Sequence, residues 1–221
     1  MAQQLRLQLS RQPSFAREDF IPSPSNQEAL SALDSWPGWH GGCLALVGPE
    51  GSGKSHLALA WADHVGATRL DPAITEIGLD AAGPVLVENA ETASAEILFH
   101  LINMAGAGGG LLLTSRLHPR TWPAGLPDLR SRLNALPVAE IGAPDDALLR
   151  ALLEKFFLER NIRPAEDVYP YLLRRIERSV RMARAIVERL DEAADAENRD
   201  ITRALARHIL ESDETPLDAG E

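Results

Sequence analysis

One segment, Gly48-Pro49-Glu50-Gly51-Ser52-Gly53-Lys54-Ser55, constrains the 221-residue chain more than any other. It follows a continuous apolar run, Cys43-Leu44-Ala45-Leu46-Val47, and leads into a helical stretch from Lys54 to Val65. The spacing is G-x-x-x-x-G-K-[ST], and a buried strand before it with a helix after it is the context that gives the motif meaning. Each residue type has a physical reason. Gly48, Gly51 and Gly53, with Ser52 between them, let the loop take positive φ and bring backbone amides close to phosphate oxygens. The helix opening at Lys54 aims its free N–H groups and positive dipole end at the same anion. Lys54 adds a point charge for the β and γ phosphates, and the Ser55 hydroxyl suits a Mg²⁺ ligand.

The surrounding pattern fixes the fold class. Val85-Leu86-Val87, Leu111-Leu112-Leu113-Thr114 and Ala135 to Ile141 read as further strands, separated by a helix over 54–65 and a second from Ala90 to about Ala105. Continuous apolar strands alternating with helices predict a parallel sheet covered on both faces, an α/β core over residues 25–143. Ser25-Asn26-Gln27-Glu28 reads as a capping box opening a helix to about Trp36. After Gly142-Ala143-Pro144 only helical stretches remain, over 145–159, 164–176, 179–194 and 200–211, which predicts a small all-helical unit over 144–211. Residues 212–221 read as an acidic, solvated tail.

Composition narrows the function classes. A net charge of −10 disfavours a stand-alone sequence-specific DNA binder, since the molecule as a whole repels phosphate polymers. A single cysteine, Cys43, excludes an intramolecular disulfide and a multi-cysteine metal site, and points to a reducing, cytoplasmic setting. No apolar run is long enough to span a bilayer, and the N-terminus lacks the apolar centre of a secretory leader, so no membrane association is expected.

Four constellations bear on chemistry. Val85-Leu86-Val87 leads into Glu88-Asn89, where hydrolytic enzymes place an acid that holds the metal and a second that orients the attacking water. Glu88 can serve a metal; Asn89 cannot take a proton, so binding is better supported than cleavage. The alternative is that Glu88 and Asn89 cap the helix from Ala90. Thr114 and Ser115 end a strand where such sheets expose a ligand-facing edge, or else form a turn. Leu129-Arg130-Ser131-Arg132-Leu133 places two arginines on a short amphipathic segment, either a solvated face or guanidiniums able to reach a phosphate across a subunit boundary. Arg178, Arg181 and Arg184 fall near one helix face by the i, i+3 rule, and one of them can descend on the nucleotide.

Residues 1–24 are polar and proline-bearing, and within them Gln4-Leu5-Arg6-Leu7-Gln8-Leu9 alternates strictly, presenting Leu5, Leu7 and Leu9 on one side of an extended strand. An edge strand or a plain tail reads the same way.

Taken in order, Asp19-Phe20, Pro24-Ser25-Asn26, Gly48 through Ser55 with His56-Leu57, Leu111 through Ser115, Leu129 through Leu133, Asn161-Ile162-Arg163-Pro164 and Ser179-Val180-Arg181 resemble the AAA+ module of the bacterial replication initiator DnaA. The likeness runs from about Phe15 to Leu210. No room is expected after it for the helix-turn-helix DNA-binding domain that follows in the initiator. Gln4 to Leu9 also looks like the Q-L-x-L-x-L peptide that docks on the DNA polymerase sliding clamp. Together these features resemble the Hda family (HdaA type), the DnaA-related regulatory inactivators.

The resemblance implies a P-loop AAA+ core with a helical lid, and ADP or ATP with Mg²⁺ as ligands. It implies nucleotide contacts from Gly51, Gly53, Lys54, Ser55 and His56, metal roles for Ser55 and Glu88, and an adenine-side strip at Phe20-Ile21. Thr114 and Arg181 would be sensors and Arg132 a trans-acting finger. The clamp would be bound through Gln4, Leu5, Leu7 and Leu9, and DnaA would be the second partner, with homo-oligomerisation possible. Two departures stand out: Glu88-Asn89 replace the family's paired acids, and Arg116 stands where an acid often follows Thr-Ser. The leading expectation is a regulator that promotes hydrolysis of ATP held by DnaA. The rivals are an independent ATPase of helicase-loader type and a DNA-binding initiator fragment.

Overall fold

The computed structural model describes residues 16–74 and 83–213. The Gln4–Leu9 peptide and most of the acidic tail lie outside the described residues. Five parallel strands form one sheet in the order β2-β3-β4-β1-β5: β1 Cys43–Val47, β2 Thr68–Leu70, β3 Pro84–Val87, β4 Gly110–Ser115 and β5 Val138–Glu140. The register places Leu44 beside Leu112 and Leu46 beside Thr114 in the two central strands, every residue of which is buried.

Strand alternation sorts these apolar side chains onto two faces. Cys43, Ala45, Val47, Leu111 and Leu113 face α3 (Ala95–Gly106) and α4 (Pro127–Ala135), where Leu98, Leu101, Leu129 and Leu133 complete one core. Leu44, Leu46, Leu86 and Leu112 face α1 (Gln27–Asp34) and α2 (Lys54–Val65), packing against Leu30, Leu57 and Trp61. Thus the continuous apolar runs mark strands buried on both sides. A third core belongs to α5 (Asp146–Glu159), α6 (Val168–Leu173), α7 (Val180–Glu197) and α8 (Arg203–Asp213), with Leu149, Leu153, Phe157, Val187 and Leu190 at its centre. None of the described helices is long and apolar enough to cross a membrane.

Several local expectations need correction. The capping box at Ser25 does not form: α1 starts after Asn26, whose carboxamide accepts from the Ser23 N–H and donates to the Ile21 carbonyl oxygen instead of capping. The helix expected from Ala90 to about Ala105 is present as α3 but begins only at Ala95: Asn89 sits at φ 51°, Ala90–Thr92 form a single 3-10 turn, and Ser94 caps α3 through the Ile97 N–H. The strand expected over 135–141 shortens to β5, since α4 runs through Ala135 and Pro137 intervenes. The helix expected over 164–176 is only α6, six residues long. Strand β2, at the sheet edge, carries no apolar run and has no counterpart in the sequence reading.

Candidate functional site

Strand β1 ends at Val47, and the loop 48–53 turns over the C-terminal edge of the sheet into α2. Its three glycines are required by three different neighbours. A side chain at Gly48 would strike the Ile141 carbonyl oxygen at 2.2 Å, so that residue allows the close approach of the chain leaving β5. Gly51 has φ +71°, and a Cβ there would lie 2.5 Å from the Cβ of Ser179 in the lid. Gly53 has φ +100° and faces the Phe20 ring. Positive φ at the last two is a conformation that only glycine adopts without strain.

The loop borders a cleft of about 570 Å³ between the core and the lid. Lys54, Arg116, Lys155, Arg181 and Arg184 line it together with Asp19, Glu50 and Glu159, five cations against three acids in a protein whose net charge is −10. A local positive surplus of this kind, with loop amides and a helix N-terminus beside it, concentrates anions.

Lys54 donates to the carbonyl oxygens of Gly48 and Pro49, both at 2.7 Å, folding its ammonium back over the loop. Burial holds its pKa below the ordinary lysine value and the charge of Arg116 adds to that, while Glu91, Glu50 and Glu88 act in the opposite sense. An ammonium disfavoured in this way gains from an arriving anion. Ser52 Oγ is buried without a hydrogen-bond partner among the described residues, and Ser55, exposed in the first turn of α2, lines the cleft. An orphaned hydroxyl inside the loop, a lysine folded back over it and an exposed helix N-terminus fit a polyphosphate. Of the two expected oxygen donors, Ser55 lines the cleft, whereas Glu88, half-buried at the end of β3, does not line it and reaches the site only through the effect of its charge on Lys54; a magnesium ion there would keep waters and phosphate oxygens as most of its ligands. Among the described residues no cluster of three or more His, Cys, Asp or Glu side chains would hold a metal unaided.

The remaining expected residues divide. Thr114 lines the cleft at the buried end of β4, and its Oγ1 accepts from the Asn89 N–H at 3.3 Å, which joins β4 to the tip of β3. Ser115 instead closes a turn, donating to the Leu117 carbonyl oxygen and accepting from the Leu117 N–H. Phe20 packs edge-on against His56, ring centroids 5.4 Å apart, behind the loop. Ile21 packs against the lid core, so neither residue of the expected Phe20-Ile21 strip lines the cleft, which the preceding residue Asp19 does. Arg181, in the first turn of α7, lies in the cleft and pairs with Glu50 at 3.2 Å; Arg184, one turn on, pairs with Glu159 and lies over the Phe156 ring. Arg178 points elsewhere, to Asp146.

The two arginines of α4 differ sharply. Arg130 donates to the backbone carbonyl oxygens of Arg120 and Trp122, at 2.7 and 2.6 Å, and so fixes the segment after β4. Arg132 is exposed, lies over the Phe99 ring at 5.2 Å and does not line the cleft.

Sequence reasoning missed Glu50, Asp19, Lys155 and Glu159. One signal was available: the chain has only two lysines, Lys54 and Lys155, and both line the cleft. Lys155 donates to the Asp19 carboxylate at 2.7 Å and to the Asp19 carbonyl oxygen at 2.8 Å, tying the lid to the segment that precedes the core.

Comparison with solved structures places this arrangement. Domain III of the replication initiation protein DnaA from Thermotoga maritima superposes with a TM-score of 0.76 at 18% identity, covering 93% of this chain and 99% of that one. The chain has the AAA+ fold. Its α/β core and helical lid are those of a P-loop AAA+ module. AMPPCP-bound DnaA from Aquifex aeolicus matches with a TM-score of 0.68 at 17% identity, over 81% of this chain and 66% of that one. The Holliday junction branch migration motor RuvB of Thermotoga maritima matches at 0.71 and 16%, over 90% and 72%. No protein-family model matches the sequence.

Proposed function

We propose that this AAA+ module binds an adenine nucleotide with magnesium in the cleft and uses it to set the angle between core and lid. Docked on the DNA polymerase sliding clamp through Gln4, Leu5, Leu7 and Leu9, it presents Arg132 to ATP held by DnaA and promotes hydrolysis there. This is the reading of an Hda-type negative regulator of replication initiation, acting in the cytoplasm without sequence-specific DNA binding of its own. It extends to this chain the nucleotide binding that the AMPPCP-bound DnaA structure carries in its name.

One observation carries the reading: Arg132 is exposed and outside its own cleft, whereas the guanidinium of Arg130 is used up on two backbone carbonyls. A cation that serves no phosphate of its own chain is available to one in trans, and such a finger contributes a factor of about 10³ to 10⁵ in phosphoryl transfer. Within the cleft, Lys54 and the loop amides would hold the phosphates, and Ser55 would hold the metal, which supplies charge neutralisation when bound. Arg181 and Thr114 would report its state to lid and sheet. Asn89, neutral and in a left-handed conformation, offers no base beside that site.

The deciding assay measures hydrolysis of DnaA-bound ATP with clamp loaded on DNA. Wild-type protein accelerates it, Arg132→Ala does not although it still binds clamp and nucleotide, and Gln4→Ala with Leu7→Ala loses clamp binding alone. Normal stimulation by Arg132→Ala rejects the finger.

The second reading, an independent ATPase of helicase-loader type, is favoured by Glu91. One of its carboxylate oxygens accepts from the Arg116 N–H at 3.1 Å, the other is buried without a partner among the described residues, and its charge reaches Lys54. Turnover without DnaA that is abolished by Lys54→Ala but not by Arg132→Ala selects that reading.

A further inference from the structure

The third residue of the phosphate loop is an acid, and both of its carboxylate oxygens are engaged. Glu50 Oε2 lies 2.9 Å from Arg116 Nη1, and Oε1 lies 3.2 Å from Arg181 Nη1. Arg116 follows β4 and belongs to the core; Arg181 is in the first turn of α7 and belongs to the lid. The next loop residue repeats the connection in the backbone, where Gly51 O accepts from the Val180 N–H at 2.8 Å. The lid therefore meets the loop at two consecutive residues, once through a side chain and once through the main chain.

We propose that Glu50 is a latch between lid and core that also sets the discrimination between nucleoside di- and triphosphates at this cleft. The proposal rests on the nucleotide reading above. Phosphate-loop amides cradle the first two phosphates, and the loop lysine reaches the outer ones. A diphosphate can take those partners and leave Glu50 with both arginines. A third phosphoryl group brings more negative charge and three strong acceptor oxygens to the place where two guanidiniums already hold a carboxylate, and it must take them from Glu50 to gain their contacts. The acid thus weakens triphosphate binding specifically, and its release from Arg181 removes the side-chain half of the two-point contact between lid and loop, loosening the lid.

The size of the effect follows from exposure. Glu50 is about half exposed and Arg181 is 77% exposed. Ion pairs this open are individually weak, so together they correspond to an affinity change of about three- to tenfold.

The full chain is titrated with ADP and with AMPPCP as wild type, Glu50→Gln and Glu50→Gln with Arg116→Ala. The expected result is a triphosphate-to-diphosphate affinity ratio about three- to tenfold higher in Glu50→Gln, falling back when Arg116→Ala is added. A ratio unchanged within about twofold, or lowered, overturns the discrimination. A second measurement needs no nucleotide: the distance between spin labels at Ser131→Cys in the core and Glu192→Cys in the lid, read without ligand. Broadening or lengthening in Glu50→Gln supports the latch, and an unchanged distribution overturns it. Should the wild type bind neither nucleotide, the nucleotide reading and the discrimination fall together, while the label distance still decides the latch.

Discussion

The backbone N–H of Val180 donates to the carbonyl oxygen of Gly51, so the first turn of the longest lid helix rests directly on the phosphate loop. Contact this close leaves no space at Gly51 for any side chain.

Gly51→Ala should therefore be costly in two ways. It forces a residue with a Cβ to hold φ +71°, and it drives that Cβ to 2.5 Å from Ser179. Gly66, the C-terminal cap of α2, has a similar φ of +69° but nothing within 4 Å. Gly66→Ala is expected to lose only the backbone term, about 1 kcal/mol, and Gly51→Ala to lose about 2–4 kcal/mol together with nucleotide affinity. Equal denaturation midpoints for the two variants would contradict the lid contact.

Arg130→Ala removes a charged donor from two carbonyl oxygens and should destabilise the fold by about 2–3 kcal/mol. Arg132→Ala loses only an exposed cation–π contact and should cost about 0.5–1 kcal/mol. Urea melts of the two single variants test this ordering, which must hold if Arg130 is the structural member of the pair.

Cys43 supplies a pH test. Burial pushes its thiol up to about 11 from an ordinary 9.0, against a smaller lowering by Arg132. Between those two values the unfolded chain has released a proton that the folded chain keeps. Its contribution to stability is fully present below pH 9 and is lost as pH climbs through about 11, amounting at most to about 2–3 kcal/mol. Stability measured at pH 8 and 10.5 should fall more steeply for wild type than for Cys43→Ala; parallel slopes would exclude the thiol.

Lys54→Ala should reduce nucleotide affinity by at least about tenfold while changing stability by less than about 1 kcal/mol, because the lost hydrogen bonds are offset by relief of a disfavoured buried charge. A large loss of stability would mean that the lysine's main task is to brace the loop.

The α/β core was legible because β1 and β4 are buried on both faces and so read as unbroken apolar runs. The edge strand β2 was not, since Thr68 and Arg69 are exposed and its pairing with Val85 and Leu86 supplies what its composition does not. The Ser25 capping box failed because Asn26 found partners in the preceding loop, the Ile21 carbonyl oxygen five residues back and the Ser23 N–H, that a pattern of residue types does not show. In the site, Lys54 and Ser55 were readable from spacing alone. Glu50 and Lys155 were not: the former sits at an unconstrained position of the motif, and the latter meets Asp19 across 136 residues of chain.

Residues 16–19 are fastened at both ends, with His56 Nε2 2.9 Å from the Ala16 carbonyl oxygen and Lys155 gripping Asp19. One anchor is on the helix that carries Lys54 and Ser55, the other on the lid. Tension applied to the polypeptide ahead of Ala16, by whatever takes hold of it, would thus be transmitted to the floor and the roof of the cleft alike, making that short strip a mechanical lead wired into both walls.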